Sequence, residues 1–324
     1  MIKIFIYLLP FLTGFIALNF GNNNIENFNF LKEVILYIKG EQISTNASII
    51  FDIRLPRIIL ALIVGAVLSG CGTIMQSIFK NPLVDPFLLG ISSGAAFGCA
   101  LSIGIFPNFP IQILAFFISI FCAFGVLLIA NLAGGSKIAL ILSGVVLCAF
   151  LSSFTGLIKF FVDPRYSQSI SMWLLGSLSL ASWVDTFIAF IALLLGFVPI
   201  YLMSYRVDVL SLEDEEAKAL GINVKIMRIL FIILISFSCS LVVSLSGIIG
   251  WVGLLSPHIA RFIVDPKTKT LIPISLCIGS FLLLVSDTIA RSISAYDLPV
   301  GAVMAIIGAP FFIILLKKSK ESWN

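Results

Sequence analysis

About ten apolar stretches, most of them close to 20 residues long, follow one another along this chain of 324 residues. A bilayer core of about 30 Å is crossed by about 20 apolar residues in a helix. Backbone N–H and C=O groups find no water there, so each crossing segment must satisfy them internally, as a helix does. The chain is therefore predicted to be an all-α integral membrane protein with about ten transmembrane helices. The spans are predicted near residues 3–20, 56–79, 86–106, 111–133, 138–161, 183–203, 229–246, 251–264, 271–290 and 300–316.

Composition excludes a soluble globular domain, because 60% of the residues are hydrophobic and only 11% are charged. The net charge of +4 is small and gives no support for nucleic-acid binding. The cysteines lie inside apolar runs without a CxxC pair, which is typical of small packing residues and not of a disulfide or metal framework. Residues 1–18 are not followed by a small-x-small cleavage site, so a retained first span is expected instead of a signal peptide.

Lysine and arginine residues predict the orientation of the chain. If the N-terminus lies inside and ten spans follow, 13 of the 20 basic residues fall on the cytoplasmic side. Loops on that side carry an excess of lysine and arginine in membrane proteins. Both termini are therefore predicted to be cytoplasmic, and so is the single long polar segment, residues 204–228.

This polar segment is predicted to contain a short capped helix. Ser211 is the predicted N-cap, acidic residues fill the first turn where the helix dipole favours negative charge, and Gly221 stands where a left-handed C-terminal residue is wanted. Asp214 and Lys218 have the spacing and polarity of a favourable i,i+4 pair.

The same helix carries apolar residues that a solvated loop would not need. Ala217 and Leu220 give it a small apolar surface beside the acidic residues Glu213 and Glu216. An ordinary solvated charge run is the alternative. The pattern favours a docking helix for a soluble partner.

The second and third spans combine small residues with a rigid turn. Gly65 and Ser69 are four residues apart, a spacing that lets two membrane helices approach closely. Gln76 is a polar side chain near the end of the second span, and Asn81 with Pro82 begins a turn through which no straight helix could continue. Local features favour helix packing and a turn over a substrate site.

Two arginines three residues apart, Arg54 and Arg57, lie at the opposite end of the second span, and Pro56 stiffens the backbone between them. Anchoring to lipid headgroups is one interpretation, common for arginines at span ends. A salt-bridging site for an acidic partner outside the cell is the other.

An intramembrane serine hydrolase is the enzyme hypothesis that the sequence raises. The stretch from Gly90 to Gly94 matches G-x-S-x-G around Ser92, and His258 is the single histidine that could act as its base. The pattern needs a strand–turn–helix setting, which a helical membrane protein does not supply. A structural hydrogen bond is favoured for His258 over a metal-ligand role, because one histidine cannot hold a metal by itself.

The chain has no G-x-x-x-x-G-K-[ST] phosphate loop, so nucleotide-driven transport would require another subunit. A proton-coupled secondary transporter is the alternative, but such proteins carry buried carboxylates or histidines within their spans. Here Asp287, near the outer end of the ninth span, is the nearest candidate.

Nine motifs occur in one order along residues 52–317. They are RLPR at 54–57, a glycine-rich helix with Gln76, NPLVDP at 81–86, LGISSGA at 89–95, WLLGS at 173–177, an acidic helix ending at Gly221, GWVGLLSPHIAR at 250–261, DTIAR at 287–291 and LPVGAVMAIIGAPFF at 298–312. This order resembles the FecCD-type permease family of ATP-binding cassette (ABC) importers for iron-siderophores, haem and cobalamin.

The resemblance implies a type II ABC importer permease fold, with residues 1–324 as one domain in the inner membrane of a bacterium. It implies a second permease copy, either identical or a close paralogue, two cytoplasmic ATPase subunits that bind ATP and Mg²⁺, and a periplasmic or lipid-anchored substrate-binding protein. The chain itself would hold no cofactor or metal and would not be an enzyme. A ferric siderophore is the expected cargo, with haem or cobalamin as alternatives.

The resemblance also implies roles for individual residues. The outer arginines that meet glutamates of the binding protein correspond to Arg54, Arg57 and Arg291. The helix that sits in a cleft of the ATPase corresponds to Glu213, Asp214, Glu216, Ala217, Leu220 and Gly221. Spans five and ten, the latter beginning at Pro299, would line the pathway on the dimer axis. Together with the residues that local features single out, the predicted pathway and helix-packing residues are Gly65, Gln76, Asn81, Pro82, Pro299 and Gly301. Asp297 stands where the family usually has glutamate.

Overall fold

The structure is a computed structural model that describes residues 2–20, 44–293 and 297–319, together with Glu33, Leu36 and Lys39. Within these residues the chain is helical and contains no β-strand. The helices are α1 (Ile2–Asn19), α2 (Thr45–Ser48), α3 (Leu55–Phe79), α4 (Ile91–Gly104), α5 (Ile111–Leu132), α6 (Lys137–Phe161), α7 (Pro164–Leu174), α8 (Trp183–Leu202), α9 (Ser204–Leu210), α10 (Asp214–Ala219), α11 (Val224–Ser246), α12 (Val252–Ile263), α13 (Thr268–Ser292) and α14 (Val300–Ser319).

The prediction of an all-α membrane protein is confirmed. Six helical segments of the described chain are long and apolar enough to cross a membrane: Thr45–Phe79, in which a π-helical segment joins α2 to α3, and α5, α6, α8, α11 and α13. Four shorter apolar helices, α1, α4, α12 and α14, occupy the remaining positions where the sequence predicts spans.

Helix α3 is the centre of the fold. It is buried over nearly its whole length, including its polar residues Ser69 and Thr73. Ser69 Oγ donates to the carbonyl of Ser275 on α13 at 2.6 Å, and Ser280 Oγ returns a hydrogen bond to the carbonyl of Leu62 at 2.6 Å. Inside a bilayer the hydrophobic effect does not drive helices together, so small residues and interhelical hydrogen bonds stabilise their packing. They place α3 and α13 side by side.

The third predicted span differs from a straight helix over residues 86–106. A 3₁₀ turn, Pro86–Leu89, is followed by Gly90 at φ 77°, and only then does α4 begin. The left-handed backbone at Gly90 breaks the helical path, which a residue with a Cβ would strongly resist. The apolar run predicted the element but not this interruption.

Helix α12 spans only part of the membrane thickness. Its 12 residues rise about 18 Å, against about 30 Å for a bilayer core. It begins after Trp251, a non-glycine residue at φ 71°, and Gly253 near its start lies against the carbonyl of Leu68 in the middle of α3. The helix therefore starts inside the bundle and runs to one end of it.

That end contains α9, α10 and the starts of α6, α11 and α13, and it is called the α10 side below. Asp208 Oδ1 accepts a hydrogen bond from the backbone N–H of Thr268 there at 2.8 Å. The opposite end contains the start of α3 and the ends of α1 and α13, and it is called the Arg57 side.

Candidate functional site

Helix α10 is a capped helix on the outside of the bundle. Glu213 adopts extended backbone angles and forms a reciprocal capping box with Glu216, whose side chain accepts from the Glu213 backbone N–H at 3.2 Å. Ser211 is not the N-cap, and that prediction is wrong: it ends α9 in helical geometry, and its Oγ donates to the carbonyl of Asp208 at 2.6 Å. Gly221 has φ 78°, so its predicted left-handed conformation is confirmed.

Three cations, two on neighbouring helices and one just after α3, fix α10 to the bundle. Arg228 on α11 donates from Nη2 to both carboxylate oxygens of Asp214 at 3.1 and 3.2 Å, and Lys137 on α6 lies 3.6 Å from the same carboxylate. Lys80, just after α3, pairs with Glu213 at 3.2 Å. Asp214 thus pairs with residues of other helices, and the predicted pair with Lys218 is not among the ion pairs of the described residues.

These contacts set the charge state of Asp214. Partial burial favours the neutral carboxyl, but hydrogen bonds and charges from Arg228, helped by Lys137 and Lys80, outweigh it and hold the pKa of Asp214 below its usual value. The side chain is therefore anionic at neutral pH and remains available to all three cations.

The apolar residues in and beside this helix differ in their burial. Ala217 is fully buried and packs into the core. Leu220 is 54% exposed and Leu212 is 40% exposed, although both lie among acidic and other polar residues. An apolar surface rimmed by polar residues is typical of a protein contact site.

On the opposite side, arginines fasten the end of α1 to the bundle. Arg54 Nη1 donates to the carbonyl of Leu18 at 2.6 Å, and Arg291 Nη2 donates to the carbonyl of Ala17 at 2.5 Å. The last carbonyls of a helix have no partner within the helix, and its dipole favours positive charge there. The two arginines supply hydrogen-bond donors for these carbonyls and positive charge at the end of α1.

Arg57 joins three segments on that side. Its Nε donates to Asp287 of α13 at 2.9 Å, and its Nη1 donates to Asp297, just before α14, at 2.7 Å. Asp287 is fully buried and also lies 3.7 Å from Arg291. The cluster of Arg57, Asp287, Arg291 and Asp297, called the Arg57 ion cluster below, links the start of α3 and the end of α13 to the start of α14.

The three arginines do not form an exposed positive surface in the described chain, and their predicted docking of an acidic partner stays a prediction. Arg54, Arg57 and Arg291 are only 5 to 6% exposed. The sequence could not reveal this arrangement, because the acceptors lie far away along the chain, on α1 and α13. Asp297, with a side chain 36% exposed, is the accessible member of the cluster. Asp287 is neutralised by two arginines and is not a lone mid-span carboxylate.

The predicted pathway and packing residues of the second and third spans have mainly structural contacts. A Cβ on Gly65 would lie 2.8 Å from the carbonyl carbon of Gly279, so α3 and α13 touch through their backbones. The side-chain oxygen of Gln76 accepts a hydrogen bond from Arg261 on α12. Asn81 Oδ1 accepts from the N–H of Leu83 at 2.9 Å and forms the turn that continues through Pro82.

Pro299 and Gly301 lie at the start of α14. The N–H of Val300 donates to the carbonyl of Gly176 at 3.0 Å, and a Cβ on Gly301 would lie 2.7 Å from the carbonyl of Ile248. The start of α14 is therefore packed tightly against the segments that follow α7 and α11, whereas Ile306 and Ile313 further along are 75 and 68% exposed.

Asp85 is a carboxylate whose position the sequence did not reveal. Its Oδ1 caps the 3₁₀ turn by accepting from the N–H of Phe87 at 2.8 Å, and its Oδ2 lies beside Gly253 at the start of α12. The start of a helix is the positive end of its dipole and favours a negative group. The interrupted third span and the half-length helix α12 thus meet at one carboxylate within the bundle.

Comparison with known families gives the decisive observation: the model of the FecCD transport family matches residues 8–318. The chain belongs to the FecCD transport family. The expected resemblance is confirmed over nearly the whole sequence, and the matched range includes helix α10 and the Arg57 ion cluster.

Relatives of this FecCD chain match it over most of its length. It is 48% identical to the "Probable iron chelatin transport system permease protein" of Helicobacter pylori over 310 residues, which covers 94% of each chain. It is 38% identical to the molybdate import system permease protein MolB of Haemophilus influenzae, covering 84% of this chain and 82% of that one. A solved structure described as an inward-facing conformation of a metal-chelate type ABC transporter superimposes with a TM-score of 0.87 at 34% identity, covering 98% and 99% of the two chains.

The serine hydrolase hypothesis finds no support in this FecCD chain. Gly90 and Ser92 lie at the entry to α4 from a 3₁₀ turn, not between a strand and a helix. His258 packs its ring against Phe312, with ring centres 5.5 Å apart, and lies beside the backbone of Pro82. No group of three or more metal-ligating side chains occurs in the described part of the chain, whose six cysteines are all unpaired.

Proposed function

We propose that this FecCD protein is the permease subunit of an ABC importer that moves an iron(III) chelate, with a ferric siderophore as the first candidate, across the inner membrane of a bacterium. Haem and cobalamin are alternative cargoes on the same scaffold. Relatives named for iron chelatin and for molybdate show that family membership does not fix the cargo. The 48% identity to the first of these favours an iron chelate.

The observation that carries the proposal is the exposed helix α10 with its ties to the bundle. A helix with an open apolar residue, Leu220, and an acidic face offers a contact to a soluble subunit. Through Asp214 it is bonded to Arg228 on α11 and lies beside Lys137 on α6. A displacement of α10 would therefore be carried to both spans.

In this proposal α10 lies in the cytoplasm, both termini are cytoplasmic, and the six long and four shorter apolar helices make ten spans. Two ATPase subunits bind ATP and Mg²⁺ and dock on α10. When ATP draws them together, α10 follows, and the closely packed helix faces shift between outward and inward openings.

A second permease copy would complete the pathway. The faces of α6 and α14 leave large apolar side chains uncovered, including Phe150, Phe154 and Leu157 on α6 and Ile306 on α14. Exposed apolar faces of this extent suit either lipid or a second chain. We assign α6 and α14 to the dimer axis, where two such faces would enclose the translocated chelate.

A periplasmic or lipid-anchored binding protein would deliver the chelate to the Arg57 side. Direct salt bridges to Arg54, Arg57 or Arg291 require these buried arginines to exchange partners. Arg57 is the best placed of the three, because its partner Asp297 is partly exposed and an incoming carboxylate could take its place. Docking at this side is thus proposed as an exchange of ion-pair partners.

Reconstitution in lipid vesicles tests the proposal. The permease is combined with its ATPase and binding protein, and uptake of a ferric siderophore is measured with ATP inside. Uptake that requires ATP and the ATPase supports the importer. Uptake driven by a proton gradient without ATPase would instead establish a secondary transporter. Parallel assays with haem, cobalamin and molybdate identify the cargo independently of the energy source.

A further inference from the structure

A groove runs between α5 and α11 on the outside of the bundle. One part is a cavity of about 80 Å³ lined by apolar residues of both helices, with Ser236 as the single polar member. The other part is a cavity of about 50 Å³ toward the α10 side, which Leu140 of α6 also lines. Leu127 lines both cavities, so they are neighbours along α5. From Ile120 to Asn131 on α5, the groove that they form extends about 16 Å.

The end of this groove on the α10 side is basic. Lys225 and Arg228 line it, with Asn131 and the loop residue Gly135. Arg228 is 92% buried, and its Nε has no hydrogen-bond partner among the described residues. Lys225 is exposed and joins no ion pair with a described residue. The groove therefore ends in a cation with unused hydrogen-bonding capacity.

Two further features raise the positive potential at this end. Lys225 lies in the first turn of α11, which contains no acidic residue, so it adds to the positive end of the helix dipole. Lys80 and Lys137 lie near Arg228 as well, and the carboxylates of Glu213 and Asp214 offset only two of these four cations. An additional anion at the mouth of the groove would be stabilised.

We propose that this groove binds an anionic phospholipid, with its phosphate at Lys225 and Arg228 and one acyl chain between α5 and α11. The length of the groove supports this occupant, because about 16 Å is close to half of the bilayer core of about 30 Å and so matches one leaflet. Basic pockets at the ends of membrane helices bind anionic headgroups. A soluble chelate would not fit cavities of about 80 and 50 Å³, the larger of which is lined by apolar side chains apart from Ser236.

The lipid would reach the coupling contacts of the protein. Arg228 holds Asp214 of α10 and lines the groove at the same time. A phosphate beside Arg228 would form a second ion pair with the guanidinium that already binds Asp214. It would also hold this guanidinium in place at the start of α11. The site goes beyond the proposed import function, and only its assignment to the cytoplasmic leaflet rests on the proposed orientation.

Native mass spectrometry of the full-length protein tests the proposal. The protein is moved from detergent into nanodiscs of phosphatidylglycerol or phosphatidylcholine, released, and examined for retained lipid. We expect retention of phosphatidylglycerol over phosphatidylcholine. Lys225→Ala should weaken phosphatidylglycerol binding about fivefold, the effect of one basic side chain at a membrane surface. Lys269→Ala, which removes an exposed lysine on the same side but outside the groove, is the matched control and should change nothing.

A second pair of variants tests the acyl-chain part without changing charge. Ile233→Trp fills the groove and should reduce retention, whereas Ile226→Trp, on the same helix but not lining the groove, should not. Equal retention of the two lipids, or equal effects within either pair of variants, would overturn the proposal. So would disulfide cross-linking between two copies carrying Ile233→Cys, because a second chain would then cover the groove. Lipid retention is measured without transport, so its failure is separate from failure of the import function.

Discussion

Arg228 donates two hydrogen bonds to Asp214, at 3.1 and 3.2 Å, and so ties the second turn of α11 to the first residue of α10. The arginine is buried and the aspartate is partly open, with a side chain 44% exposed. A helix of six residues is too short to be stable alone. Its position is therefore set by this ion pair, by the buried Ala217 and by the capping box.

Asp214→Asn should loosen α10 while leaving the bundle folded. The carboxylate is partly solvated, so we expect a loss of about 1 kcal/mol or less in overall stability, but a clear loss of ATP-dependent uptake. Hydrogen exchange should show faster exchange in α10 alone. Glu215→Gln, in the same turn but outside the ion pairs, is the control, and an equal effect of both changes would contradict the coupling role of Asp214.

The ion pair of Asp214 with Arg228 has a defined pH dependence. The pKa of Asp214 is lowered in the folded protein. Its contribution to stability is therefore fully present above the unfolded pKa of about 3.9 and is lost as the pH falls through the lower folded pKa. The protection factors of the α10 amides, which are corrected for the intrinsic pH dependence of exchange, should be unchanged from pH 8 to about pH 5 and should fall only under more acidic conditions. A fall in protection near pH 6 would show that another group holds the helix.

Leu220→Asp should block attachment of the ATPase without disturbing the fold. A leucine that becomes buried at an interface contributes about 1.5 to 3 kcal/mol, so we expect roughly a tenfold to hundredfold loss of affinity. Binding of the purified ATPase to the permease in nanodiscs measures it. Ser211→Asp adds the same charge nearby and should have little effect. Unchanged affinity for Leu220→Asp would place the contact elsewhere.

Arg57→Ala should be strongly destabilising, because it removes the closest partner of the buried Asp287. Breaking a buried pair by removing one member costs about 3 to 5 kcal/mol. Thermal unfolding in detergent should show this loss, and adding Asp287→Asn should restore part of it, since the uncompensated charge is then gone. Arg165→Ala, which breaks an exposed ion pair with Asp163, should change stability by less than about 1 kcal/mol.

Gly65→Val should separate α3 from α13. A side chain there would meet the backbone of Gly279, and overpacking of this kind costs about 1 to 3 kcal/mol. Gly156→Ala on α6 is the comparison, because no atom lies within 4 Å of the added methyl group, and alanine is the better helix former. Equal losses of thermal stability in the two variants would show that the close approach is not what limits packing.

Several features of the site were accessible from the sequence because they are local. The acidic turn, the left-handed Gly221 and the apolar spots at Ala217 and Leu220 lie within ten residues and depend on helix geometry alone. The predicted N-cap was wrong because a separate helix, α9, precedes α10 and ends at Leu210. Ser211 therefore follows the end of α9, and Glu213 is the N-cap of α10.

The partners of the arginines were not accessible in this way. Arg57 meets Asp287 and Asp297, which are 230 and 240 residues away, and Arg54 and Arg291 bind carbonyls of α1 that carry no sequence signal. An arginine beside a proline at a span end looks the same whether it faces water or a buried aspartate. The Arg57 ion cluster is therefore visible only in the tertiary structure, where three helix ends lie together.

The sequence by itself determined the all-helical membrane class, the positions of the apolar helices and the family, because hydrophobic length and motif order are written along the chain. Only the tertiary structure decided that charged and polar residues of separate motifs, such as Arg57 with Asp287 and Gln76 with Arg261, are paired with one another. It also decided that α12 starts within the bundle and that a basic groove opens between α5 and α11. These are distances between segments far apart in the chain, which helix packing fixes and local periodicity does not encode.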